Sequence, residues 1–105
     1  MRLKDKVVVI TGGTSGIGAA IARAVVREGG KAFITGIVES EGNAIVKELG
    51  SNSGLCIADL ADPASPAKIA DEAVKAFGRI DSLVNCAAIF DQSNVENLKI
   101  GRAHV

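Results

Sequence analysis

Tryptophan and tyrosine are absent from the 105-residue sequence, and phenylalanine occurs only three times. A core without large rings must be filled by Val, Ile, Leu and Ala, the residues of a parallel sheet covered by helices. Neither sign of charge is in excess: twelve basic residues offset twelve acidic ones, and no basic run occurs. That balance argues against nucleic acid as a partner. No apolar stretch approaches the roughly 20 residues that span a bilayer. The opening Met1-Arg2-Leu3-Lys4-Asp5-Lys6 enters a strand at once, which leaves no room for a signal peptide and makes the cytoplasm the expected compartment. A chain this short is expected to form one small domain around one core.

What the sequence does have is glycine in one telling place. Thr11-Gly12-Gly13-Thr14-Ser15-Gly16-Ile17-Gly18 follows the apolar run Val7-Val8-Val9-Ile10 and precedes an alanine-rich helical stretch. A strand that ends in a glycine turn and feeds a helix gathers backbone N–H groups and the positive helix end at one spot. Such a spot suits a dinucleotide pyrophosphate. Glycine allows positive φ there and keeps Cβ atoms out of the way of the phosphates.

The remaining pattern alternates strand and helix. Strand one is read at 6–11 and its helix at 16–29, with Ile17, Ile21, Ala24 and Val25 at helical spacing and Gly29-Gly30 as the stop. Strand two is Ala32–Thr35, followed by a helix at 40–49 that Gly50 ends. Strand three is Leu55–Ala58. Asp62 is expected to cap, and Pro63 to open, a third helix reaching Phe77, closed by Gly78. Strand four is Ser82–Asn85. Short connections between alternating elements imply right-handed crossovers and a parallel sheet. Cys56 and Cys86, at the third and fourth strands, would lie roughly 14 Å apart in a 3-2-1-4 sheet, too far for a disulfide. Both are expected as free thiols in the core.

The spacing Gly12, Gly16, Gly18 resembles the first turn of the short-chain dehydrogenase/reductase family, Thr-Gly-x-x-x-Gly-x-Gly. Asp59-Leu60 stands where that family places an adenine-contacting Asp. Asn85-Cys86-Ala87-Ala88 stands where it usually carries Asn-Asn-Ala-Gly, and Ala76–Val84 is similar to its approach to the fourth strand. The resemblance covers 3–90 in order. It implies a Rossmann-type doubly wound α/β fold, here its N-terminal half with strand order 3-2-1-4, as part of one NAD(P)-binding domain over 1–99. It further implies a dinucleotide cofactor, a small alcohol or carbonyl substrate and a homo-oligomeric parent.

The expected cofactor-binding residues are Gly12, Thr14, Ser15, Gly16, Ile17, Gly18, Gly36, Asp59, Leu60, Asn85 and Ala87, and no metal ligands are expected. Gly16 and Ile17 supply backbone donors near the helix start, and Ser15 a hydroxyl; Thr14 and Ser15 are equally readable as local turn bonding. Gly18 is read as serving close helix–strand packing. From position alone Asp59, at the ligand-binding edge of the sheet, reads equally as an acceptor for an adenine amino group or as a solvated loop acid or Asx turn, and the resemblance implies the adenine contact. The Leu60 backbone is a second adenine contact. Asn85 is implied to tie the sheet together and to line the ribose through neighbouring backbone. Cys86 and Ala88 depart from the family pattern and bear on fine geometry. An acid at the end of strand two would select NAD, and an arginine NADP. Gly36-Ile37 offers neither, and Glu39 is read as decorating the first turn of the next helix. The sequence leaves the cofactor as NAD or NADP.

In this family a Tyr phenol exchanges the proton during hydride transfer, helped by a Lys four residues later, a Ser and an Asn. No tyrosine exists in this chain, so it holds no catalytic residue and is expected to be inactive by itself; Ser93 and Lys99 do not match the catalytic segment. The alternative reading is a non-catalytic, dinucleotide-sensing Rossmann protein. Residues 100–105, Ile-Gly-Arg-Ala-His-Val, read either as a natural polar tail or as the translation of a common short-read sequencing adapter; the adapter is the expected reading, and it leaves His104 outside the native fold.

Overall fold

Strand β1 (Val7–Thr11) is buried along its whole length, and that burial organises everything around it. The computed structural model describes residues 2–12, 14 and 16–86. Around β1 stand α1 (Gly16–Arg27), β2 (Lys31–Gly36), α2 (Glu39–Leu49), a short 3-10 turn over Gly50–Asn52, β3 (Ser53–Ile57), α3 (Ser65–Phe77) and β4 (Ser82–Asn85). The four strands are parallel in the order β3-β2-β1-β4, as the sequence predicts.

That order dictates the layers. The chain moves from β1 to β2 to β3 in one direction and then jumps back across β1 to β4. Right-handed crossovers therefore place α1 and α2 on one face and α3 on the other. Alternate β1 residues enter two separate cores. Val8 and Ile10 pack with Ala19, Ala22 and Val25 of α1 and Ile45 of α2. Val9 packs with Phe33, Cys56, and Ile69 and Ala73 of α3. Alanine at 19 and 22 lets α1 lie close on the sheet. Ile10 and Ile34, side by side in register and fully buried, occupy its centre. Truncating either to Ala would cost about 2–5 kcal/mol.

Helix ends fall within two residues of the expected bounds: α1 stops at Arg27 rather than 29, and α2 opens at Glu39 rather than 40. After α1 the Gly29 N–H donates to the Val26 carbonyl and the Gly30 N–H to that of Val25. This paired closure caps the helix with Gly29 at φ 90°. Gly50 and Gly78 close α2 and α3 as expected. The third helix, however, begins at Ser65 and not at Pro63. A helix opening at Pro63 would need an N–H from residue 66 for its first internal bond, and Pro66 has none. Asp62 instead accepts from the Ala64 N–H at 2.9 Å in an Asx turn, and Pro66 sits within the first helical turn. Strand three starts two residues earlier than expected and ends at Ile57, one before Ala58.

A clamp at the opposite end of the sheet fixes β4 to β1. Asp81 donates its N–H to the Val7 carbonyl and accepts the Val7 N–H through Oδ2, both at 2.8 Å. Arg79 donates to Asp81 Oδ1 at 2.6 Å. The Arg79 bond first, and the Val7 N–H second, hold the Asp81 carboxyl below the usual aspartate range. Glu48 is lowered in the same way by Arg23, which bridges α1 to α2. A carboxyl lowered on folding stabilises above its ordinary value and loses that contribution as pH falls through its folded value. Urea midpoints should therefore fall below about pH 4, and less steeply in Asp81→Asn. Parallel profiles for the two proteins would contradict the clamp.

Candidate functional site

The carboxyl ends of all four strands open on one edge, and the strand order reverses there between β1 and β4. Open α/β sheets bind ligands at such a point. The turn after β1 is built for close approach. Gly12 has φ 70° and Gly16 has φ 59°, left-handed backbone that strains residues with a Cβ. Gly16 and Ile17 are exposed at the head of α1, where the first N–H groups lack partners within the helix. No acidic residue occupies that first turn to compete for them. Gly18, one residue further into α1, is buried.

Beside this turn lies a cleft of about 320 Å³ over the ends of β1, β2 and β3. Gly12, Thr14, Gly36, Asp59 and Leu60 line it, so five of the residues singled out from sequence converge. Gly36 leaves room for this arrangement. A Cβ added there would stand 2.4 Å from Thr14 Cγ2 and 2.9 Å from its Oγ1. The Thr14 side chain thus lies across the end of β2, and its hydroxyl is 3.3 Å from Glu41 Oε1.

Asp59 is exposed just past β3, and Oδ1 accepts from the Ala61 N–H at 2.9 Å. The Asx turn is therefore present, and the residue also borders the cleft. The Asp59 carbonyl accepts from the buried Ser65 hydroxyl at 2.6 Å, so the start of α3 steadies this corner.

Asn85 does not line this cleft. Its Oδ1 accepts from the Thr11 hydroxyl at 2.8 Å, tying together the ends of β1 and β4. It borders a second, apolar hollow of about 280 Å³ between α3 and the β1–β4 pair, which Leu60 also reaches. Ser15 and Ala87 lie outside the described residues, as do Ser93, Lys99 and residues 100–105.

Glu41 carries no mark in the sequence: Gly36-Ile37 offers no acid at the end of strand two, and of the two acids in the first turn of α2, Glu39 and Glu41, it is Glu41 that stands on the cleft wall. Both cysteines are free and buried, and burial pushes both thiols up, against thiolate chemistry at neutral pH. Among the described residues no group of His, Cys, Asp and Glu could hold a metal ion, and no helix is long and apolar enough to cross a membrane.

A parallel sheet of this order, with a glycine turn feeding α1, is a Rossmann-type fold. The family model described as short chain dehydrogenase matches residues 6–103, and the chain belongs to that family. It is 39% identical over 102 residues to human 3-hydroxyacyl-CoA dehydrogenase type-2, covering 97% of this chain and 39% of that protein. It is 38% identical over 96 residues to 3-alpha-(or 20-beta)-hydroxysteroid dehydrogenase of Mycobacterium tuberculosis H37Rv, covering 91% and 37%. To the NADP-dependent (R)-specific alcohol dehydrogenase of Lentilactobacillus kefiri it is 40% identical over 98 residues, covering 91% and 39%. The chain thus spans under two-fifths of the length of these relatives.

Proposed function

We propose that this chain forms the dinucleotide-binding part of an NAD(P)-dependent oxidoreductase acting on a small alcohol or carbonyl compound. The observation that carries the reading is the cleft in which Gly12, Thr14, Gly36, Asp59 and Leu60 meet beside the open head of α1. The fit is good at each end. The Gly12–Gly16 turn and the first N–H groups of α1 suit a pyrophosphate, whose charge the helix end favours. Asp59 has Oδ2 for an adenine amino group while Oδ1 holds the Asx turn. The Leu60 side chain, 39% exposed, offers apolar surface for a base.

The bound cofactor supplies hydride transfer at its nicotinamide. The chain's own share is to seat the phosphates and the base. It has no tyrosine and takes no part in proton exchange. The relatives are named for acyl-CoA, steroid and alcohol substrates, so the shared chemistry is a hydroxyl–carbonyl couple and not one substrate.

The reading is tested by titrating NAD and NADP calorimetrically into the full-length protein, then following nicotinamide absorbance with a panel of secondary alcohols and ketones. Saturable binding of at least one nucleotide and turnover of one panel member are expected. No binding of either nucleotide would overturn the proposal. Binding without turnover, together with no Tyr-x-x-x-Lys in the full-length protein, would favour a sensor.

A further inference from the structure

The adenosine ribose is where NAD and NADP differ, and on the reading above its place in the cleft follows from order along the ligand. Phosphates at the Gly12–Gly16 turn and adenine at Asp59 leave the ribose between them, against Gly36, Ile37 and Glu41. The lining there holds two carboxylates, Glu41 and Asp59, and neither lysine nor arginine. A 2′-phosphate would bring about two further negative charges to that wall, with no cation to receive them. A ribose 2′-hydroxyl has a proton to donate, and a carboxylate is its natural acceptor.

The end of β2 supplies no carboxylate here, since Gly36-Ile37 stands there. Thr14 occupies the space that any Cβ at position 36 would enter. The same Thr14 donates its hydroxyl toward Glu41 Oε1 at 3.3 Å, which steadies the acid at the cleft wall and leaves Oε2 for another donor. One threonine thus lies against the usual position and supports the replacement. Family membership does not decide the matter, since the L. kefiri relative is named as NADP-dependent.

We propose that Glu41, positioned by Thr14, makes this protein select NAD over NADP. The inference rests on the dinucleotide reading. Glu41 lies on the exposed side of α2, so substitutions there leave the core untouched.

The test uses the full-length protein and calorimetric titration with NAD, NADP, 5′-AMP and adenosine 2′,5′-bisphosphate. Wild type is expected to bind NAD at least about tenfold more tightly than NADP, the size of effect that like charges a few ångströms apart produce near a surface. Glu41→Gln should narrow that ratio about tenfold, chiefly by tightening NADP, and Glu41→Arg should invert it. The two adenosine probes should follow the same order, and the penalty on the bisphosphate should shrink as salt is raised. An unchanged NAD-to-NADP ratio in both variants, or a wild type that prefers NADP, would overturn the role of Glu41 and leave the dinucleotide reading standing. Failure of all four ligands to bind wild type would remove both.

Discussion

Valine in place of Gly12 or Gly16 is expected to abolish dinucleotide binding in the full-length protein while leaving most secondary structure intact. Both glycines have φ near +60 to +70°, and a β-branched residue in that region is a steric outlier. The turn would have to rebuild, and it is the turn that aims the first N–H groups of α1. A branched Cβ also fills the space through which phosphates approach the backbone. The cores lie below this edge, on Val8, Val9 and Ile10, and need not move. Asp59→Ala should be milder, about 1–3 kcal/mol in binding, since it removes one hydrogen bond to a charged acceptor and spares the phosphate seat. Calorimetry with circular dichroism on the three variants checks the order. Normal binding by Gly16→Val beside complete loss in Asp59→Ala would reverse the placement of the ligand along the sheet.

The difference between these two effects tracks how clearly each residue could be read from sequence. Backbone-driven features were plain. β1 and β2 are buried along nearly their whole length, so Val7–Ile10 and Ala32–Ile34 appear as apolar runs, and the glycine turn between β1 and α1 needs residues few other contexts demand. Side-chain features depended on tertiary packing. Pro66 moved the start of α3 by two residues, because a missing N–H outweighed the capping signal at Asp62. Asp59 proved to be both an Asx-turn residue and a cleft residue, two roles that position alone presented as alternatives. Distance along the chain does not say which of Glu39 and Glu41 the helix turns toward the cleft. Two residues on a helix point about 200° apart. With Gly42 and Ile45 against the sheet, Glu39 and Glu41 flank that buried face on opposite sides. Nothing in the sequence marks which flank faces the glycine turn; in the fold it is the Glu41 flank, where the Thr14 hydroxyl stands 3.3 Å from Glu41 Oε1.

The 105-residue chain expressed by itself is expected to self-associate through β4. Parallel sheets are ordinarily covered on both faces, and β1 and β2 obey that rule. β4 does not: three of its four residues are exposed, and among the described residues no strand pairs with its outer edge. Leu83 is 66% exposed and Ile80 40%, beside the apolar hollow that α3 leaves over the β1–β4 pair. An open, apolar edge strand is a template for another chain. Sedimentation velocity across the micromolar range should show weight-average mass rising with concentration, and thermal unfolding should be irreversible. Leu83→Lys, which places a charge on that exposed face, should reduce the association severalfold without altering the far-ultraviolet spectrum, because Leu83 contributes to neither buried core. A wild-type chain that stays monomeric across that range and melts sharply and reversibly would show that the edge is already satisfied. Equal association in Leu83→Lys would move the contact away from β4.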